Sequence, residues 1–216
     1  NNYDYTVLIN NDTIVEKNLI EVLLKTAQAK NLSVVQPLIL EYNSKVIWNA
    51  GGRINYFFGN FITRKKVGNS LNSSQELTEW FTGCCCLFKT KIFKEIGKLD
   101  ESFFAYYEDV DFSLRLKKHG YKIGFTSKTH LYHYESFSST SNNSKGGKLS
   151  PYIHYLNIRN HILILKKHSD LFNPIGTRLY QIFKIISYSI YFIFRLRFIK
   201  LNMVYKGLID SYKIKI

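Results

Sequence analysis

Glu108, Asp109 and Asp111 put three carboxylates into four consecutive positions, framed by Phe103-Phe104 and Tyr106-Tyr107 before them and by Phe112 after. Like charges packed together raise one another's pKa, and an apolar surround strengthens the effect. A carboxylate poised in this way accepts a proton from an attacking group, which is general-base work. Acids in a first helical turn also answer the positive end of the helix dipole, so this stretch alone leaves both readings open. Far upstream, Asn10-Asn11-Asp12-Thr13 presents hard oxygen atoms on alternating residues. Such oxygens suit Mg²⁺ or Mn²⁺ carrying a phosphate group better than Zn²⁺. The competing reading is a turn and helix cap without metal. His133 sits at a strand edge after the acidic helix, where a metal could use it, although a lone histidine is more often structural. Trp80 offers a flat face for a sugar or a buried aromatic, and Thr82-Gly83, followed by small residues, lets a ligand approach the backbone closely.

The elements that must position these groups read as alternating strands and helices. Tyr5–Ile9 is a short buried strand, so Asn10, Asn11 and Asp12 fall at its carboxyl end, where ligands collect in open parallel sheets. The next helix places Val15, Leu19, Val22, Thr26 and Ala29 on one face, from Glu16 to Lys30. Val34–Leu40 is a second strand, the glycine-rich stretch from Lys45 to Thr63 forms hairpins or loops, and Glu79–Phe88 is a third apolar strand. Lys91–Ile96 is a short helix closed by Gly97. The acidic stretch opens a helix covered on two sides and ended by His119-Gly120. Tyr121–Phe125 then returns as a strand, and the aromatic run from His130 to Ser138 follows.

The chain has 216 residues and a net charge of +14, enough length for one domain with a real core and a small appendage. The charge is uneven: from Lys145 onward there are 13 Lys and Arg against only Asp170 and Asp210. That asymmetry points to a negatively charged partner, nucleic acid or an anionic membrane surface. Cys84, Cys85 and Cys86 are adjacent, and adjacent strand residues face opposite ways, so they make poor joint metal ligands and an unlikely disulfide framework. They read as small buried residues in a reducing compartment. The first residue is Asn1, no cleavable signal is visible at the start, and the chain has the look of a piece of a longer protein.

Taken in order, the strand with Asn-Asn-Asp-Thr, then Trp80-Phe81-Thr82-Gly83, then Leu99-Asp100-Glu101-Ser102-Phe103 through Glu108-Asp109-Val110-Asp111 to Arg115, then His133, resembles the family 2 glycosyltransferases. The likeness is to the bacterial rhamnosyltransferase-like and galactofuranosyltransferase-like branch and covers roughly Tyr5 to Lys167. It implies an α/β fold of GT-A type, a mixed sheet flanked by helices, here lacking the N-terminal nucleotide-binding strands and carrying a C-terminal helical tail. Residues 1–145 would be the C-terminal part of that catalytic domain and 146–216 the tail. Asn10-Asn11-Asp12 matches the family's metal-binding Asp-x-Asp motif with Asn for the first Asp, which removes one charge. Asp109 matches the catalytic base, with Glu108 and Asp111 as acidic neighbours, and His133 the histidine that completes the metal site with Asp12 and Asn10. Trp80, Thr82, Gly83 and Asn11 would border the sugars, while Tyr155 and Arg159-Asn160 match a helical segment after the core.

The activity implied is inverting transfer of a sugar from a nucleoside diphosphate to a hydroxyl of a glycan or lipid-linked acceptor in cell-surface polysaccharide synthesis, with Mg²⁺ or Mn²⁺ as cofactor. Two alternatives stand beside it: a metal-dependent phosphoryl hydrolase using Asp12, Asp109, Asp111 and His133, and an inactive membrane-binding fragment. In the tail, Tyr152–Lys167 reads as an amphipathic helix. Leu179–Phe194 is apolar and aromatic but broken by Lys184, so its uninterrupted part, Ile185–Phe194, is 10 residues, against about 20 for a spanning helix. A helix lying on the cytoplasmic face of the membrane, held by apolar burial and anionic lipid, is the expectation; packing on the catalytic domain is the competitor. The tail is too apolar, and lacks any recognisable module, for nucleic-acid binding.

Overall fold

The computed structural model describes residues 3–67, 75–134 and 149–214. The boundary expected at 145/146 and residues 135–138 of the aromatic run lie outside them. The described chain falls into two compact units, one built from residues up to 54, 61–101 and 108–135, the other from 55–60, 102–107 and the tail.

The first unit holds a seven-stranded mixed sheet. Its strands are β1 (Tyr5–Ile9), β2 (Thr13–Val15), β3 (Val34–Glu41), β4 (Ile47–Asn49), β7 (Gln75–Leu77), β8 (Cys85–Lys89) and β9 (Ile123–His133). The order is β1-β8-β3-β9-β2, with β4 added on β3 and β7 on β9. Among the described residues only β3 and β9 pair in parallel. A separate hairpin pairs β5 (Gly52–Asn55) with β6 (Asn60–Thr63). Period-two alternation sorts the core. Val35, Ile39, Cys85 and Leu87 face Leu19, Leu23 and Ala27 of α1 (Leu19–Ala29). Val34, Cys86 and Phe88 face the other way, onto Ile92 of α2 (Lys91–Glu95) and Phe112 and Leu116 of α3 (Glu108–Lys118). The three cysteines are buried and free, as their adjacency predicts.

Three expectations change. Val15 belongs to a strand, half exposed, because Thr13-Ile14-Val15 is β-branched and pairs antiparallel with Leu131–His133. The buried face of α1 is therefore Leu19, Leu23, Thr26 and Ala27. Trp80–Gly83 is not strand; it is irregular backbone anchored by side chains, and the regular strand begins at Cys85. The short strand expected at Tyr121–Phe125 runs on as β9 to His133, with a register shift opposite Pro37/Leu38.

In the second unit, α4 (Pro151–Lys167) packs closely on α6 (Phe198–Lys213): a Cβ at Gly207 would meet the carbonyl of Tyr155 at 2.6 Å. Ile158, Ile162, Val204 and Phe192 of α5 (Pro174–Phe194) form its core. Asn160, wholly buried in α4, donates through Nδ2 to the carbonyls of Phe103, Ala105 and Tyr106 at 2.9, 2.7 and 2.8 Å. Arg159 adds bonds to the carbonyls of Ser102 and Phe103. The segment they hold is strained: Phe104, Tyr106 and Tyr107 have φ of 62°, 65° and 74°, a region that disfavours side chains with a Cβ. One amide thus fixes the loop immediately before Glu108. Asn160→Ala should lower stability by about 2–4 kcal/mol, from lost bonds and orphaned carbonyls. Urea unfolding checks this, and a change indistinguishable from zero would assign the loop's shape to other contacts.

Candidate active site

Antiparallel pairing of β2 with the end of β9 sets Thr13 opposite His133. The turn before it is fixed by the Thr13 hydroxyl donating to the Asn10 carbonyl at 2.7 Å and by Tyr134 N–H on the Asp12 carbonyl at 2.9 Å. Asp12 Oδ1 and His133 Nε2 then lie 3.4 Å apart, their side chains 28% and 8% exposed. Asp12 Oδ1 and His133 Nδ1 are buried and without a hydrogen-bond partner among the described residues. An orphaned carboxylate oxygen beside an imidazole fits a divalent cation that takes its remaining ligands from a diphosphate and water. Among the described residues no three His, Cys, Asp or Glu side chains converge on one point. The Trp48 ring packs edge-on to His133 at 4.7 Å, and Asn10 and Asn11 are exposed in the turn.

The acidic pair opens α3. Asp109 accepts Gly83 N–H on Oδ2 at 3.0 Å and its neighbour's Val110 N–H on Oδ1 at 2.8 Å. Glu108 rests against Gly83, where a Cβ would sit 3.6 Å from its Oε1, and its Oε2 is buried without a partner. Burial and the Asp109 charge push the Glu108 carboxyl up to about 7. Burial also raises Asp109, against the pull of its backbone N–H donors. The two environments differ: backbone amides stabilise the charged form of Asp109, while Glu108, raised to about 7, keeps its proton to near neutrality.

The segment between these groups is where they meet. Gly83 N–H binds Asp109, and the next carbonyl, Cys84 O, accepts Asn10 N–H at 2.9 Å. The Asp12 charge is close enough to help burial push up the Cys84 thiol. Behind the segment, Gln36 takes Thr82 N–H at 2.8 Å and donates to Asn49 at 2.7 Å, and the Ser113 hydroxyl receives Phe81 N–H and bonds the Asp109 carbonyl. Gln36 and Asn49 were not singled out from the sequence. A glutamine inside the apolar run Val34–Leu40 was the available signal, since a fully buried amide must have partners.

Two residues read as part of the site do other things. Asp111 is wholly buried and pairs with Arg115 Nε at 2.8 Å, while the same guanidinium holds the carbonyls of Ile96 and Lys98. Two positions along a helix from Asp109, it turns inward and braces α3. Trp80 is 7% exposed, lies on Gly52 where any Cβ would strike its indole, and donates to the Arg53 carbonyl. It is the buried aromatic, and Gly52 is the position that makes room for it. Thr82 is also buried, contributing through its backbone.

The Glu108 shift has a measurable consequence. A carboxyl whose folded pKa of about 7 exceeds its ordinary 4.5 stabilises the fold fully below the ordinary value, and that contribution disappears as pH rises through the folded one. Thermal midpoints should therefore decline between about pH 4.5 and 7, and Glu108→Gln should flatten that decline and raise the midpoint above it. An unchanged slope in the variant would mean that Glu108 is not the titrating group.

Comparison with known proteins joins these observations. A sequence profile described as glycosyltransferase like family 2 matches residues 2–145. The low-salt glycan biosynthesis hexosyltransferase Agl10 of Haloferax volcanii is 24% identical over 162 residues, 75% of this chain and 50% of its own length. Rhamnosyltransferase WbbL of Escherichia coli K12 is 23% identical over 151 residues, 66% of this chain and 56% of its own. The N-acetylglucosaminyl-diphospho-decaprenol L-rhamnosyltransferase of Mycobacterium tuberculosis is 32% identical over 69 residues, 32% of this chain and 22% of its own. The chain thus spans about half or less of the length of these relatives. The crystal structure of GalNAc-T7 with UDP, GalNAc and Mn²⁺ shares the fold with a TM-score of 0.56 at 13% identity, covering 76% of this chain and 31% of that one. The fold is GT-A, and with the profile running across two-thirds of its length the chain belongs to glycosyltransferase family 2.

Proposed function

We propose that the protein transfers a sugar, with inversion, from a nucleoside diphosphate to a hydroxyl of a glycan or lipid-linked acceptor during polysaccharide synthesis. The observation that carries this is the Gly83-Cys84 segment, tied on one side to Asp109 and on the other to Asn10, beside Asp12. A base and a cation-binding pair are then held by one backbone segment.

The acceptor oxygen attacks the anomeric carbon from the side opposite the diphosphate. The new C–O bond forms as the bond to the leaving phosphate oxygen breaks, and the acceptor proton passes to a carboxylate oxygen of Asp109. The amides of Gly83 and Val110 orient that carboxylate, and protonated Glu108 keeps a second negative charge away from it. Asp12 and His133, with Asn10 beside them, would hold Mg²⁺ or Mn²⁺, which when bound offsets the charge developing on the departing diphosphate. The Mn²⁺ and UDP named for the GalNAc-T7 structure support a divalent cation beside a nucleoside diphosphate. The open turn at Asn11 and the Thr82-Gly83 backbone border the sugar. Trp80 has no part in this reading, being covered by Gly52.

The phosphoryl-hydrolase alternative loses support because it needs Asp111, which is committed to Arg115. A lipid-linked acceptor would also put the protein at the cytoplasmic surface of the membrane. The test is the protein at its native length with a panel of nucleotide sugars, Mn²⁺ or Mg²⁺, and lipid-linked or free glycan acceptors. One nucleoside diphosphate released per sugar transferred is expected. Sugar phosphate released without acceptor would overturn the reading.

A further inference from the structure

The sequence counts Lys184 as a break in the apolar part of α5, but the side chain turns inward. Its Nζ meets Nδ1 of His161 at 2.8 Å, while His161 Nε2, facing the Gly59 carbonyl at 2.6 Å, must carry the ring proton. Burial and the Lys184 charge hold the imidazole down to about 3, so it remains a neutral acceptor for the ammonium. With Lys184 withdrawn, the outward face is continuous. Ile175, Leu179, Phe183, Ile186, Ile190 and Phe194 recur at helical spacing and are each at least 51% exposed. The exposed Leu196, Phe198 and Ile199 prolong it. A stripe along 21 helical residues runs about 30 Å, far more apolar surface than a protein leaves to water without use.

The charge around it is of one sign. From Pro174 to the end there are eight Lys and Arg against Asp210 alone. Exposed Arg178 and Arg195 lie near the two ends of the stripe, and α5 itself carries no acid. No helix among the described residues is long and apolar enough to cross a membrane. An apolar face with a basic rim, too polar as a whole to span, has the chemistry of a helix lying in the interface of an anionic bilayer.

We propose that the outer face of α5, from Ile175 to Phe194 and on to Phe198, docks flat on an anionic lipid bilayer, with Arg178 and Arg195 at the headgroups. This deepens the transferase reading by naming the surface that brings the enzyme to a lipid-linked acceptor, and rests on that reading only for its purpose.

The test is co-sedimentation of the native-length protein with vesicles of phosphatidylglycerol and phosphatidylcholine, or of phosphatidylcholine alone. Binding should require phosphatidylglycerol and weaken with salt. The triple variant Leu179→Gln, Phe183→Gln, Ile190→Gln removes only exposed side chains and should lower the partition coefficient at least tenfold, with the circular dichroism spectrum and transfer to a soluble acceptor unchanged. Equal binding by parent and variant, no preference for the anionic lipid, or a dimer that the variant dissolves while vesicles go unbound would each overturn the proposal. Failure of sugar transfer with vesicle binding intact would sink the catalytic reading alone.

Discussion

Asp109→Asn should lower the rate of sugar transfer about 10²- to 10⁴-fold, the span that a positioned general base contributes, while donor affinity changes little. The substitution removes the proton-accepting charge and little else. An asparagine oxygen can still accept the Gly83 N–H that Asp109 takes at 3.0 Å, although its amino group then confronts Val110 N–H, a local cost of about 1–2 kcal/mol. The measurement is single-turnover transfer alongside donor titration. Parallel losses in both would remove Asp109 from the base role, because a group acting only on the acceptor proton has no claim on the donor. Glu108→Gln is the informative partner. If Glu108 keeps its proton near neutrality, the amide resembles the resident form, and transfer at neutral pH should fall far less than in Asp109→Asn.

Asp12→Ala should raise the concentration of Mn²⁺ needed for half-maximal binding of a nucleoside diphosphate by one to two orders of magnitude, and lower turnover about 10²- to 10³-fold, the range for loss of one group stabilising transition-state charge. Asp12 supplies the only carboxylate at its turn, since Asn10 stands where the family motif has an acid. His133→Ala should follow in the same direction but less steeply, because a neutral imidazole contributes no charge. Calorimetric titration of the diphosphate with and without metal reads the effect independently of turnover. Unchanged metal dependence in Asp12→Ala would leave the residue as an ordinary turn former.

What the sequence disclosed and what it hid divide along a physical line. Local signals survived: the acids at 108 and 109 open a helix, Gly97 and Gly120 adopt the positive φ expected at helix ends, and the side-by-side cysteines are buried, Cys85 and Cys86 in opposite cores. Non-local pairing did not. Nothing near Val15 reveals that its β-branched run will be claimed by a strand beginning at Ile123, so residue pattern alone starts the helix too early. Asp111 and Asp109 look equivalent in a row of acids, and only the position of Arg115 relative to the neighbouring carbonyls separates a brace from a base. Lys184 looks like an interruption until His161 is known to lie beneath it. In each case the deciding partner is remote in the chain or set by a helical turn that residue type alone does not orient.

The pairing of Thr13 with His133 also fixes when the candidate site can come into being. The aspartate and histidine meet only after β9, a late strand of the sheet, has been made and docked, and β1 must likewise wait for β8. On a ribosome adding residues from the amino end, the turn holding Asp12 emerges before β9, the strand that completes its surroundings. Interrupted synthesis would leave apolar strands without partners, a species prone to aggregate.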